Sequence, residues 1–228
     1  MGTICCENNE HDEEQYLRLK TTYSTVDGHT GMEFKGNTMV KVTKESEARN
    51  YQRIFDEGAE ESLVKLRPFL VDFYTAVENQ NLPGKHKWKI TIGNMLHGRK
   101  YASKLDIKLG TSTCSTSILD DPEKLRKRLI LDKETTSHTL GFNIGGMSLK
   151  NPINGQPRDE GKLGLEDSCK DRADSLERMK HFFKYENGYD MDLINYVVKE
   201  LEALLHYFEN DNNHVMRGMS IFIVADSA

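Results

Sequence analysis

Three residues in the stretch 105–110, Leu-Asp-Ile-Lys-Leu-Gly, have the types and the spacing to do chemistry: Asp106, Lys108 and Gly110. In an extended chain, side chains two positions apart point to the same side. Asp106 and Lys108 then share one face, while Leu105, Ile107 and Leu109 anchor the other. A carboxylate beside an ammonium on a rigid face suits attack of a hydroxyl on a phosphoryl group. The acid orients the hydroxyl, and the amine offsets charge on the phosphates. The plainer account is an alternating strand with a surface ion pair, which stabilises little. Spacing alone favours the plainer account, because short motifs often match by chance.

The elements that must position this pair are legible around it. Residues 38–42, with Lys41, read as a strand, and 46–55 as a helix with Ala48, Tyr51, Ile54 and Phe55 on one face. Gly58 stops that helix, and 62–66 form a short one ended by Pro68. Residues 69–77 and 88–92 are apolar enough for strands, separated by a turn at Pro83-Gly84. Asp121-Pro122-Glu123 is a helix start, with Asp121 as cap and Pro122 at the first position. Residues 139–144 read as a strand closed by Gly145-Gly146, and 151–165 as a loop. The clearest helix covers 192–209, with Ile194, Val197, Val198, Leu201, Leu204, Leu205 and Phe208 as its core face. A last strand covers 219–224. The order predicts a two-lobed α+β protein.

Composition bounds what such a protein does. At 228 residues the chain can bury one large core or two small ones, and 37% hydrophobic with 29% charged residues is a globular balance. A net charge of −5 argues against general nucleic-acid binding but leaves room for a small polyanion at a local basic cluster. Lys124, Arg126, Lys127 and Arg128, with Lys133 beyond, form such a cluster. No apolar run reaches the ~20 residues of a membrane span. Cys5, Cys6, Cys114 and Cys169 lack metal or disulfide spacing, which predicts a reducing compartment, cytoplasmic or also nuclear. Gly2, Cys5 and Cys6 offer a myristoyl and palmitoyl membrane tether, but Cys6 stands where Ser or Thr is usual, and chance explains the match better.

Several segments taken in order resemble the inositol polyphosphate kinase family. Asp106-x-Lys108-x-Gly110 resembles its Pro-x-x-x-Asp-x-Lys-x-Gly signature, and Lys41 through Glu47 its ATP-binding lysine with a following Ser-Glu helix start. Leu66-Arg67-Pro68-Phe69, Thr139-Leu140-Gly141-Phe142 and Gly218-Met219-Ser220-Ile221-Phe222-Ile223 resemble three more family segments. The resemblance spans about residues 23 to 226. It implies a protein-kinase-related, ATP-grasp-like fold, with a disordered lead-in over 1–15, an ATP-binding lobe and hinge over 16–96, and a lobe with the inositol phosphate site over 97–228.

The same resemblance implies an enzyme that transfers the γ-phosphate of ATP, with Mg2+, to an inositol phosphate. Asp106 would orient the hydroxyl, and Lys108 would bridge the transferring phosphate and the substrate. Lys41, held by Glu47, would contact ATP, and the backbone near Asn94 and Met95 would hold adenine. Lys124, Arg126, Lys127 and Arg128 would contact substrate phosphates, and Gly110, Gly218 and Ser220 would be structural. The short span between Gly110 and Leu140 points to hexakisphosphate kinases or multikinases. Departures are Ala102 for the signature proline, Gly93 for an acidic hinge residue and Ser112 for an arginine. The sequence ends before the family's Ile-Asp-Phe segment, whose aspartate holds the metal; Asp226 is a different position. The alternative expectation is therefore an impaired pseudokinase that binds nucleotide or inositol phosphate; a plain α+β interaction protein is the remaining class.

Overall fold

The computed structural model describes residues 2–5, 32–80, 87–114, 121–150, 152–153, 156–157, 169–185 and 188–226. The chain opens with strand β1 (Gly2–Cys5), followed by the hairpin of β2 (Met32–Lys35) and β3 (Thr38–Thr43). Helix α1 (Glu45–Phe55), helix α2 (Glu61–Leu66) and a 3-10 turn at Arg67–Phe69 come next. Strands β4 (Phe73–Glu78) and β5 (Trp88–Gly93) complete an antiparallel sheet in the order β2-β3-β5-β4. In β5, Trp88, Ile90 and Ile92 alternate inward and pack under Ala48 and Tyr51 of α1. Tyr51 stacks on Phe73 with ring centroids 5.4 Å apart. An alternating strand thus meets one helical stripe, the simplest way to bury both.

The second sheet follows. Strand β6 (Ala102–Leu109) leads to helices α3 (Pro122–Glu134) and α4 (Thr136–Leu140), then strand β7 (Phe142–Ser148). The two-residue pairs β8 (Pro152–Ile153) with β9 (Gln156–Pro157), and β10 (Lys184–Tyr185) with β11 (Gly188–Tyr189), flank helix α5 (Arg172–Phe183). Helix α6 (Met191–Asn210) and strand β12 (Ser220–Asp226) end the described chain. The sheet order is β1-β12-β6-β7, with β1 parallel to β12 and the other pairs antiparallel. Leu105 and Ile107 of β6, Ile144 and Met147 of β7, and Ile221 and Ile223 of β12 bury one face against Phe182, Val197, Leu204 and Tyr207. Leu66, Phe69 and Leu70 join this core, so the turn after α2 packs against α6. Arg67 reinforces the junction by donating to the carbonyls of Ile54 (2.8 Å) and Asp56 (2.6 Å) at the end of α1.

Mixed helix and strand content in two sheets agrees with the α+β expectation, and four local readings change. Residues 139–144 are not one strand: α4 ends at Leu140, Gly141 caps it in the left-handed region (φ 73°), and β7 starts at Phe142. Only a residue without Cβ enters that conformation cheaply. The pair Gly145-Gly146 lies inside β7 rather than closing it. The strand expected from residue 69 starts at Phe73, because Pro68 opens a 3-10 turn that sends Phe69 and Leu70 into the core. On α6, Val198 and Leu205 are 46% and 56% exposed, so the core stripe is narrower and includes Tyr207. Gly2–Cys5, read as part of a disordered lead-in, forms an edge strand beside Ile221–Val224. Backbone pairing with an otherwise open edge accounts for it. The turn at Pro83-Gly84, residue Cys6 and most of the loop 151–165 lie outside the described residues.

Candidate active site

The Asp106–Lys108 pair sits at the centre of the second sheet, on the face away from the core. Lys108 Nζ is 2.7 Å from Asp106 Oδ2, and it donates to Ser220 Oγ at 2.9 Å. Ser220 is directly opposite Lys108 in the β12–β6 register, so strand pairing delivers the third member. The carboxylate side chain is 2% exposed and the lysine 30%, which corrects the surface ion pair that spacing favoured. One member is locked in protein, and the other reaches toward solvent.

A bulge makes room for this arrangement. Asp106 pairs with Gly146 and Ile107 with Ile144, leaving Gly145 as the extra residue of β7. A Cβ at Gly145 would lie 3.0 Å from Lys108 Cγ and Cε and 3.3 Å from Asp106 Oδ2. The lysine therefore lies across a position where only glycine fits without displacement. In the sequence these glycines read as a strand end; their place inside β7 depends on pairing that a single segment cannot reveal.

A second acid–amine pair stands in the first sheet. Lys41 Nζ on β3 is 2.8 Å from Glu47 Oε1 on α1, and the Thr43 hydroxyl donates to Glu47 Oε2. Burial works to raise the Glu47 carboxyl, but the charge and hydrogen bond of Lys41, with the Thr43 bond, outweigh it. The net effect holds Glu47 below the usual carboxylate range. Burial and the Glu47 charge push the Tyr51 phenol up.

At the end of β5, Asn94 braces the β2–β3 turn. Its Nδ2 donates to the Gly36 carbonyl (2.7 Å), its backbone N–H to Asn37 (2.8 Å), and its Oδ1 accepts from Leu96 N (3.0 Å). The Met95 carbonyl accepts from Arg99 Nε at 2.9 Å. The Asn94 amide and the Met95 carbonyl are thus both engaged within the chain.

The basic helix is less directly placed. Lys124 pairs with Asp121 (2.9 Å) and Lys127 with Glu123 (2.8 Å) on α3 itself. Arg126 lines an open apolar groove with Leu125, Leu129 and Ile130. The link from α3 to β6 is instead Asp132, which is buried and accepts from the Thr113 backbone N–H (2.9 Å) and from its hydroxyl. Gly110 N donates to the Gly141 carbonyl at 2.7 Å, closing β6 against the start of β7.

Two further charged residues lie on β6 and its neighbour β12. Asp226 receives the backbone N–H groups of Lys100 (2.7 Å) and Tyr101 (2.8 Å), fixing the segment that feeds β6. Lys104 lies on the same face as Asp106 and Lys108 and is 6% exposed. Among the described residues, no group of three or more His, Cys, Asp or Glu side chains is placed to hold a metal ion. No described helix is long and apolar enough to cross a membrane.

Comparison with known proteins accords with this geometry. The inositol polyphosphate kinase family model matches residues 89–228, which contain β6, β7 and β12. No curated protein matches the chain. Among solved structures, the inositol phosphate multikinase Ipk2 from S. cerevisiae, in complex with ADP and Mn2+, superposes with a TM-score of 0.55 at 17% identity. The match covers 84% of this chain and 88% of that one. A second inositol phosphate multikinase structure gives 0.50 at 17% identity, over 79% of this chain and 78% of that one. The structural likeness supports the fold, and the family match over more than half of the sequence carries the assignment: the chain belongs to the inositol polyphosphate kinase family.

Proposed function

We propose that this family member transfers the γ-phosphoryl group of ATP to a hydroxyl of a highly phosphorylated inositol. The observation that carries the reading is the Asp106–Lys108–Ser220 arrangement, a buried carboxylate 2.7 Å from a lysine that remains partly open. The substrate hydroxyl enters beside Lys108 and hydrogen-bonds to Asp106, which orients it and takes its proton as the oxygen attacks phosphorus and the bond to the departing ADP oxygen breaks. Lys108 offsets charge on the transferring group, with Ser220 fixing its ammonium. Such a site works chiefly by positioning and electrostatics. Lys41, held by Glu47, serves the nucleotide phosphates, and the backbone around Asn94 and Met95 serves the base. Residues 16–96 then form the nucleotide lobe and 97–228 the inositol phosphate lobe, with Lys124, Arg126, Lys127 and Arg128 offering charge to the substrate.

ATP is the expected donor, and Mg2+ the ion expected to accompany it. The described residues do not gather a metal donor set, and both Asp226 oxygens accept backbone amides. A second reading is a protein that binds nucleotide or inositol phosphate with little turnover. Incubation with Mg2+-ATP and a panel of inositol phosphates separates the two. Transfer that is lost in Asp106→Asn and Lys108→Ala supports the kinase. Binding without transfer supports the second reading, and binding of neither ligand rejects both.

A further inference from the structure

The segment that joins α6 to β12 (211–219) is fastened to helix α2 at one end and delivers Ser220 at the other. At the first end, Lys65 Nζ on α2 lies 2.6 Å from Asp211 Oδ1. His214 Nε2 shares a hydrogen bond with Ser62 Oγ at 3.2 Å and lies 3.5 Å from Glu60 Oε2. Ser62 is buried, and Glu60 is itself paired with Arg53 of α1 at 2.9 Å. The backbone of His214 is clamped as well. Its N–H donates to Asn212 Oδ1 (3.1 Å), and its carbonyl accepts from Asn212 Nδ2 (2.9 Å). At the other end, the Met219 carbonyl accepts from the Leu109 N–H of β6 at 2.9 Å, and Ser220 Oγ accepts from Lys108 Nζ at 2.9 Å. Val215 is 86% exposed and anchors nothing, so His214 and the core-packed Met216 seat the segment between them.

We propose that His214 is a positioning residue for phosphoryl transfer. Seated on α2, it fixes the start of the segment that brings Ser220 to Lys108, and so the place of the Lys108 ammonium. It acts through the chain and not on the substrate. Helix α1, which carries Glu47, is joined to the same point through Arg53 and Glu60. One contact thus ties the helix behind Lys41 to the strand beside Lys108. A small shift far from the reacting atoms slows a reaction that depends on alignment. The proposal rests on the kinase reading for its effect on rate, while the seat itself is testable without turnover.

Backbone hydrogen exchange of the full chain, followed by NMR, tests the seat. The reporter is the Leu109 amide, because its acceptor is Met219. His214→Ala should speed its exchange about fivefold. Ser62→Ala, which removes the partner from the other side, should do the same, and the double variant should add little. His214→Gln, whose amide nitrogen can stand where Nε2 stood, should restore the protection. The amides that pair β5 with β3 should keep theirs in every variant, which separates a local release from general loosening. Unchanged Leu109 protection in both His214→Ala and Ser62→Ala overturns the proposal, and so does an equal loss of protection across both sheets.

Single-turnover transfer to an inositol phosphate with a free hydroxyl, at saturating Mg2+-ATP, tests the consequence. His214→Ala should slow it about tenfold, with both ligand affinities within a few-fold of wild type, and His214→Gln should recover most of the rate. On a Ser220→Ala background, His214→Ala should change the rate less than about twofold, because the residue it acts through is gone. A wild-type rate in His214→Ala, or a tenfold loss that persists without Ser220, overturns the proposal. A wild-type protein that transfers nothing rejects the kinase reading, and the Leu109 exchange then decides the positioning alone.

Discussion

Two acid–amine pairs of nearly equal length serve the two sheets, and they are built in opposite ways. Lys41 and Glu47 come from different elements, a strand and a helix, and meet at 2.8 Å with 12% and 33% of their side chains exposed. Asp106 and Lys108 come from one strand and meet at 2.7 Å, with the acid at 2% and the amine at 30%. In the first pair the lysine is the more enclosed partner and the acid secures it, with help from Thr43. In the second the acid is enclosed and the lysine is held by Ser220 across the sheet. The first pair depends on α1 staying docked on β3 and β5. The second depends only on β6 and its neighbours, including the bulge at Gly145. A pair that sits within one strand is harder to displace, so the second is the better place for geometry-sensitive chemistry.

That contrast can be broken from either side. Lys108→Ala should have the larger effect, lowering turnover by about 10²–10³-fold. It also leaves Asp106 buried without its amine, so the melting temperature falls; a steady-state assay run below that temperature with a melting curve checks both. Gly145→Ala changes none of the side chains proposed to act but sets a Cβ against Lys108. We expect roughly a tenfold fall in kcat from the displaced amine, with KM for ATP nearly unchanged. Glu47→Gln keeps the helix and removes the charge that secures Lys41. The expected result is the reverse split, a rise of about three- to tenfold in KM for ATP with a smaller change in kcat.

The smallest effect is on stability against pH. The folded-state Glu47 value is depressed, so its contribution is present above the unfolded carboxylate value. It is lost as pH falls through the folded one. Acid titration of unfolding should therefore show a smaller loss of stability below about pH 4.5 in Glu47→Gln than in the wild type.

How much of this was legible depended on whether the signal was local. The alternation of β6 announced which side chains share a face, and the apolar spacing of α1 and α6 located both helices. Burial was not local: the spacing of Asp106 and Lys108 says nothing about the strands on either side that enclose the acid. Ser220 could be found as part of a motif, but its contact with Lys108 arises from 112 residues of separation. Helix α5 escaped notice because only Ser175 and Phe182 of it are buried, so it lacks a strong apolar stripe. Its start at Asp171, which accepts from Asp174 N at 2.9 Å, was the available clue. Val198 and Leu205 fit the helical period of α6 and nevertheless face outward, because an apolar stripe wider than its docking surface leaves its edges exposed. Asp226 was visible as an acid at a strand end. Its grip on the Lys100 and Tyr101 amides follows only from β12 lying beside β6.

The central claim is that Asp106 acts on the reacting hydroxyl rather than holding the sheet together. Its most direct test is single-turnover phosphoryl transfer by wild type and Asp106→Asn, with Mg2+-ATP and an inositol phosphate that keeps a free hydroxyl, beside equilibrium binding of both ligands. The account predicts transfer slowed by about 10²–10⁴-fold with binding of both ligands retained within a few-fold. Transfer at the wild-type rate in the variant would contradict it.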